Sequence, residues 1–290
     1  MSGTGGLRFH LEGQINYTES PGWLLDPVLI SLLLATLGVY LYEAGPIIRR
    51  RGWGPHLSVW RPICFSGALI VLAMALLSPL DEIGERYLFW VHMVQHMTLT
   101  LIVAPLILLG IPGWMVDGLV QNQHVRGITR RLLCPLLRPL PTLLISQSIL
   151  IAWHVPAMFE LALRNAIMHD IEHLSFMVSG ILMWWPILSS SHVLPRSEPI
   201  WLIPYLFVLP IPTAILGALI TFSRHVIYET HDLAPRLSNM SALQDQELSG
   251  LLMWMPGKLL FWAVMGIIFY RWFAKDRDND QSNNHVPSKH

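Results

Sequence analysis

Charge is what this sequence has least of. Charged side chains make up 13% of its 290 residues, about half the share found in soluble domains. The 19 basic residues cancel the 19 acidic ones, so no net field draws a polyanion, and a nucleic-acid binder is excluded. A hydrophobic content of 53% excludes a disordered chain. Cysteine is scarce as well. Cys64 and Cys134 stand far apart with no CxxC or CxxxC spacing, which argues against a disulfide framework and against thiolate metal exchange. The N-terminus lacks the charged and apolar regions of a cleavable signal peptide, and no period of 20–50 residues suggests a repeat array.

What remains is apolar sequence in long runs. Seven stretches reach, or nearly reach, the roughly 20 residues that a spanning helix needs: 24–44, 62–80, 88–111, 138–155, 171–189, 200–222 and 249–270. The expected fold is an all-α membrane protein of seven transmembrane helices occupying residues 24–273. A polar tail (1–23) precedes it and a disordered tail (274–290) follows. The fourth stretch is the weakest, crowded by Pro139, Pro141 and Pro156. The sixth carries Pro204, Pro210 and Pro212, so a kinked or partly unwound helix is expected there.

Lys and Arg divide unevenly between alternate loops. Arg49, Arg50, Arg51 and Arg61 fall in the first loop, and Arg126, Arg130, Arg131 and Arg138 in the third. With Arg196 and the basic C-tail they give thirteen on one side against five on the other. By the positive-inside rule the N-terminus lies outside and the C-terminus in the cytoplasm.

Histidine is over-represented: there are 13, more than either Asp or Glu. His92 and His96 begin the third span, His154 ends the fourth, and His169 and His173 begin the fifth. On this topology all five share the outer leaflet. His92/His96 and His169/His173 are i, i+4 pairs, one turn apart on one helix face, so both imidazoles of a pair can reach one metal. A single histidine at a helix end is ordinarily an interfacial or satisfied polar group, but two pairs and a fifth ring at one depth are costly in a bilayer. His225 and His231 lie in the outer sixth loop, within reach of the site but without the same spacing.

Carboxylates gather at that level: Asp81, Asp170, Glu172 and Asp245. Glu172 and Asp245 could orient imidazoles or bind metal themselves, while Asp81 and Asp245 could equally cap helices. Met93 and Met97 could add thioether donors, which favour Cu(I), though methionine in an apolar chain usually packs. Such a donor set suits copper or zinc rather than calcium, magnesium or a di-iron carboxylate centre. A membrane-embedded zinc hydrolase, built on His92, His96, His173 and Glu172, stays open. So does a haem-binding redox protein, although the inner half of the bundle offers no histidines for a second haem.

Several segments carry a family resemblance: Ser78-Pro79-Leu80-Asp81, His92-Met-Val-Gln-His96 running on to Ala104-Pro105 and Gly110-Ile-Pro112, Trp153-His154-Val-Pro156, His169-Asp-Ile-Glu-His173, and Asp245-Gln246 before Gly250-Leu-Leu-Met-Trp254. Over roughly residues 25–270 the chain resembles the polytopic CtaG-type cytochrome c oxidase assembly factors, which are distinct from the single-span copper chaperone that shares the name. The resemblance implies a seven-span protein of the bacterial plasma membrane that helps form a copper centre in a haem–copper oxidase and turns over no substrate. Its motif positions fall on Asp81, His92, His96, His154, His169, Glu172, His173 and Asp245. The expectation is therefore that His92, His96, His154, His169 and His173 bind copper as Cu(I), zinc being the alternative. Asp81, Glu172, Asp245, Met93 and Met97 would be accessory. The expected partners are an oxidase subunit and membrane lipid, with homo-oligomers left open.

Overall fold

The computed structural model describes residues 21–45, 57–120, 122–237 and 239–284. Most of the expected N-terminal tail and the end of the C-tail lie outside them. Among the described residues every regular element is helical. Six helical segments are long and apolar enough to cross a membrane, or seven if one bent pair is counted as a span. The chain is an all-α membrane protein.

Helix α1 (Pro27–Ala44) and helix α2 (Trp60–Leu77) form an antiparallel pair at one edge. Asp26 caps α1, its carboxylate accepting from the amides of Val28 and Leu29. Their outward faces (Val28, Leu32, Val39, Ile63, Ile70) are exposed, as expected of helix surfaces solvated by lipid rather than water. Short α3 (Pro79–Arg86) follows directly, with Ser78 as N-cap and Pro79 at the first helical position.

The third span has a defect that its sequence accounts for. It comprises α4 (Phe89–Met97), a π-helical turn (Thr98–Val103) and α5 (Ala104–Gly110). Pro105 has no N–H for the i−4 carbonyl and its ring crowds that carbonyl, so the ladder widens by one residue to admit it. The Trp184 indole donates to the Thr100 carbonyl at 3.0 Å, satisfying an acceptor inside the widened turn.

Next come α6 (Gly113–Gly118), α7 (Gln123–Leu136) and α8 (Pro139–Trp153). The expected fourth span corresponds to α8, whose 15 residues cover only about 22 Å. It meets α7 at a 69° bend. This matches the weakness of that stretch in sequence, since Pro135, Pro139 and Pro141 prevent one straight helix. Short α9 (Pro156–Arg164) leads to α10 (Ala166–Leu188), the most enclosed of the spans. The sixth span, where a kink or unwinding is expected, is interrupted at Leu209 between α11 (Pro199–Val208) and α12 (Pro210–Thr221), although Leu209 itself keeps helical dihedrals.

After one-turn α13 (Glu229–Leu233), α14 runs from Ala242 to Asn284. It passes the expected domain end at residue 273, into the stretch read as disordered. No Gly or Pro lies between Gly266 and Pro287 to stop it. Leu108, Trp184, Leu206, Leu209 and Phe261 build the main apolar core between α5, α10, α11 and α14. A second cluster (Phe89, Met93, Phe159, Tyr228, Met253) closes the other end of the bundle.

Candidate metal centre

Two helices carry the paired histidines, and two glycines let them approach. A Cβ at Gly84 of α3 would lie 2.9 Å from the His92 amide nitrogen and 3.0 Å from its Cα. A Cβ at Gly180 of α10 would fall 2.8 Å from the Ala104 side chain and 3.0 Å from Thr100 Cα. Without side chains at these points, α3 and α10 both close onto the span that bears His92 and His96.

Asp245, at the start of α14, caps that span. Its two carboxylate oxygens accept from the Phe89 and Trp90 amides, each at 2.9 Å, satisfying free donors of the helix N-terminus. Of the two roles open to it in the sequence, the structure therefore places Asp245 in the capping one. It fixes the turn that carries His92.

Four of the five expected histidines converge. The ring centroids of His92 and His96 are 4.1 Å apart, those of His169 and His173 4.1 Å, of His96 and His173 5.4 Å, and of His92 and His169 5.8 Å. Glu172 points among them, with Oε1 3.8 Å from His96 Nε2 and Oε2 4.0 Å from His92 Nε2. These separations are too long for hydrogen bonds. They lie close to the spacing of about 3.3 Å between two donors on one tetrahedral ion with bonds near 2.0–2.1 Å. His92 is 0% exposed and Glu172 1%. Both ring nitrogens of His92 and of His96, and both Glu172 oxygens, have no hydrogen-bond partner among the described residues.

The donors fall into two sets, each of two imidazoles and one carboxylate. His92, His96 and Glu172 form one; Asp81, His169 and His173 form the other, with ligand atoms in each set within 4.8 Å of one another. Asp81 also accepts from Gln95 Nε2 at 2.7 Å, and the same amide donates to the Ala75 carbonyl at 2.9 Å. Gln95 thereby ties α2, α3 and α4 together beneath the site. Orphaned donor atoms and close spacing both fit a transition-metal ion, since imidazole and carboxylate together can hold copper, zinc or iron.

His154 stands apart. Its Nδ1 is 2.7 Å from the Leu150 carbonyl, and the Phe176 ring contacts both it and His96. With His96, Met93 and Met97 it lines a neighbouring cavity that is largely apolar. Met93 is buried in the aromatic cluster, and Met97 lines the cavity.

Two further residues meet the site: Glu85, which the sequence-based expectation does not include, and His231, one of the two sixth-loop histidines. Glu85 Oε1 lies 3.0 Å from His169 Nδ1, the arrangement in which a carboxylate sets the direction of an imidazole. Its signal was its place four residues after Asp81, on the same face of α3. His231 is 3% exposed, with Nε2 3.1 Å from the Gly84 carbonyl. Burial lowers its pKa below the ordinary imidazole value, while that carbonyl pulls the other way. It buttresses the α3–α4 contact from behind. His225 is exposed and outside the cluster.

No curated protein and no solved structure matches the chain. Residues 38–275 match the family described as cytochrome c oxidase caa3 assembly factor (Caa3_CtaG). That match takes in every helix that contributes a donor, from the α2–α3 junction to the Asp245 cap. The chain belongs to the cytochrome c oxidase caa3 assembly factor family.

Proposed function

We propose that this protein binds copper at the histidine–carboxylate cluster and uses it to help form a copper centre in a haem–copper oxidase. The observation that carries the reading is the set of buried donors with no other task. Two imidazoles and a carboxylate, fully enclosed and without hydrogen-bond partners, cost about 1–3 kcal/mol for each unsatisfied group. Metal ligation recovers that cost, and a purely structural polar network would have paired these atoms with one another.

The two donor sets would act in sequence or as one dinuclear site, with Glu172 and Asp81 supplying charge. A carboxylate in each set favours a divalent ion. Cu(I) would be better served on the side of the cavity that His96 and His154 line together with Met93 and Met97. In the positive-inside orientation the cluster faces outward, the N-terminus is outside, and the setting is a bacterial plasma membrane. The protein would then be a chaperone for an oxidase subunit rather than an enzyme. Zinc is the second reading, because two histidines and a glutamate also constitute a catalytic zinc ligand set.

Oxidase maturation in cells distinguishes these readings. An oxidase made alongside His92→Ala/His173→Ala protein should lack copper yet retain haem, while the wild-type chain supports full loading. Normal copper in the oxidase with the double variant would refute the proposal.

A further inference from the structure

At the opposite, arginine-rich face the bent helix pair forms a second feature that the metal chemistry leaves unused. Helix α7 is amphipathic. Val125, Ile128, Leu132 and Leu136 form one exposed apolar stripe, while Arg126, Arg130 and Arg131 occupy the opposite side. None of its residues is buried in the protein. A helix of this kind lying at 69° to the membrane-entering α8 has the form of one that rests in the headgroup layer.

Between α7, the start of α8 and the segment 193–198 lies a cleft of about 900 Å³ lined by Arg130, Arg138 and Arg196. One carboxylate, Glu198, also lines it, and Trp201 stands at its wall. The three guanidinium groups make no ion pair among the described residues, where the bridges of the chain's other arginines involve Arg86 and Arg164.

The floor of the cleft is held firmly. Asp117 accepts from Ser191 Oγ at 2.5 Å and from the amides of His192 and Val193 at 3.0 and 3.1 Å. Ser189 Oγ donates to the Leu194 carbonyl at 2.7 Å, and Cys134 Sγ lies 3.5 Å from the Val193 carbonyl, tying α7 to the same segment. Val120, Val193 and Leu194 pack beneath.

We propose that this cleft binds the headgroup of an anionic phospholipid. Three unpaired guanidinium groups match a phosphodiester in charge and hydrogen-bonding geometry. The exposed Leu140, which lines the cleft, and Leu144 one turn further along α8 give the acyl chains a surface that a free anion cannot use. Trp201 sits where an indole favours the headgroup level. Basic pockets between membrane helices are recurrent sites for such lipids.

The test uses the full chain in a neutral detergent, with phosphatidylglycerol, phosphatidylcholine and inorganic phosphate as separate probes. Phosphatidylglycerol should raise the thermal midpoint in a saturable manner, with neither of the other probes doing so. Arg130→Gln/Arg138→Gln/Arg196→Gln should weaken the phosphatidylglycerol effect by about tenfold or more. Arg271→Gln/Lys275→Gln/Arg277→Gln, which removes the same charge from α14, should leave it intact. If the first triple variant does not fold, the single variant Arg138→Gln and native mass spectrometry of retained lipid give the same comparison. An equal shift with phosphatidylcholine, an equal shift with inorganic phosphate, or an undiminished shift in the arginine variants overturns the proposal. So does the absence of any shift, the result expected if the cleft receives an acidic protein segment.

Discussion

Gly84→Ala is the substitution whose outcome the geometry determines most sharply. The new methyl would sit 2.9 Å from the His92 amide nitrogen and 3.0 Å from its Cα, both of them backbone atoms, against 3.4 Å for ordinary contact. No flexible side chain can yield, so α3 must retreat from α4 by about 0.5 Å or the strain stays in place, at a cost of about 1–3 kcal/mol. Replacing a mid-helix glycine by alanine returns up to about 1 kcal/mol of helix propensity, leaving a net loss of up to about 2 kcal/mol. Gly127→Ala in α7 is the matched control, because nothing lies within 4 Å of a Cβ there. Only the propensity gain should appear, as a stabilisation of up to about 1 kcal/mol. Reversible denaturation in detergent, followed by circular dichroism, would measure both. The two variants should move in opposite directions. A Gly84→Ala protein stabilised as much as the Gly127→Ala control would refute the claim that close helix approach assembles the cluster. Because Asp81 and Glu85 move with α3, the same variant should also bind metal more weakly with all its ligands intact.

Glu172→Gln should stabilise the metal-free protein by about 1–2 kcal/mol, because it removes a buried, unpaired carboxylate, and should lower metal affinity; a destabilised metal-free variant would count against the ligand role. Asp245→Ala should cost about 2–3 kcal/mol through two lost charged hydrogen bonds to the α4 amides, with Asp245→Asn recovering part of it, as denaturation would report. Asp117 has a lowered pKa: burial opposes ionisation, but the bonds from Ser191, His192 and Val193 outweigh it. Its contribution to stability should therefore be complete above its unfolded value, near 3.8, and should fade as pH falls through the lower folded value. Asp117→Asn should abolish that acid-side slope in a denaturation series.

The site was legible where its logic is local. The i, i+4 spacing of His92/His96 and of His169/His173 places each pair on one face of a helix, and the structure keeps both pairs together. Glu172 was visible for the same reason. Contacts between distant segments were not. Glu85 meets His169 only because Gly84 lets α3 lie against α4, and no pattern around His169 points to it. Asp245 was legible as either a cap or an accessory group, and only the position of the Phe89 amide decides between them. Sharing a depth with the other histidines did not bring His154 into the cluster, since Phe176 lies against it. Proline signalled the interruption at Leu209 and the weakness of the fourth span, but not the bend between α7 and α8. The π-helical turn before Pro105 gave no separate signal, because the same residue can kink, break or widen a helix.

The central claim is that these buried donors hold a metal ion. Elemental analysis of the detergent-purified chain, before and after incubation with copper in each of its two oxidation states and removal of excess, addresses it directly, alongside His92→Ala/His173→Ala. Stoichiometric copper is expected in the wild type and a loss of most of it in the double variant, with both proteins equally helical. Copper content unchanged by the double substitution, or a wild-type chain that takes up no metal, would contradict it.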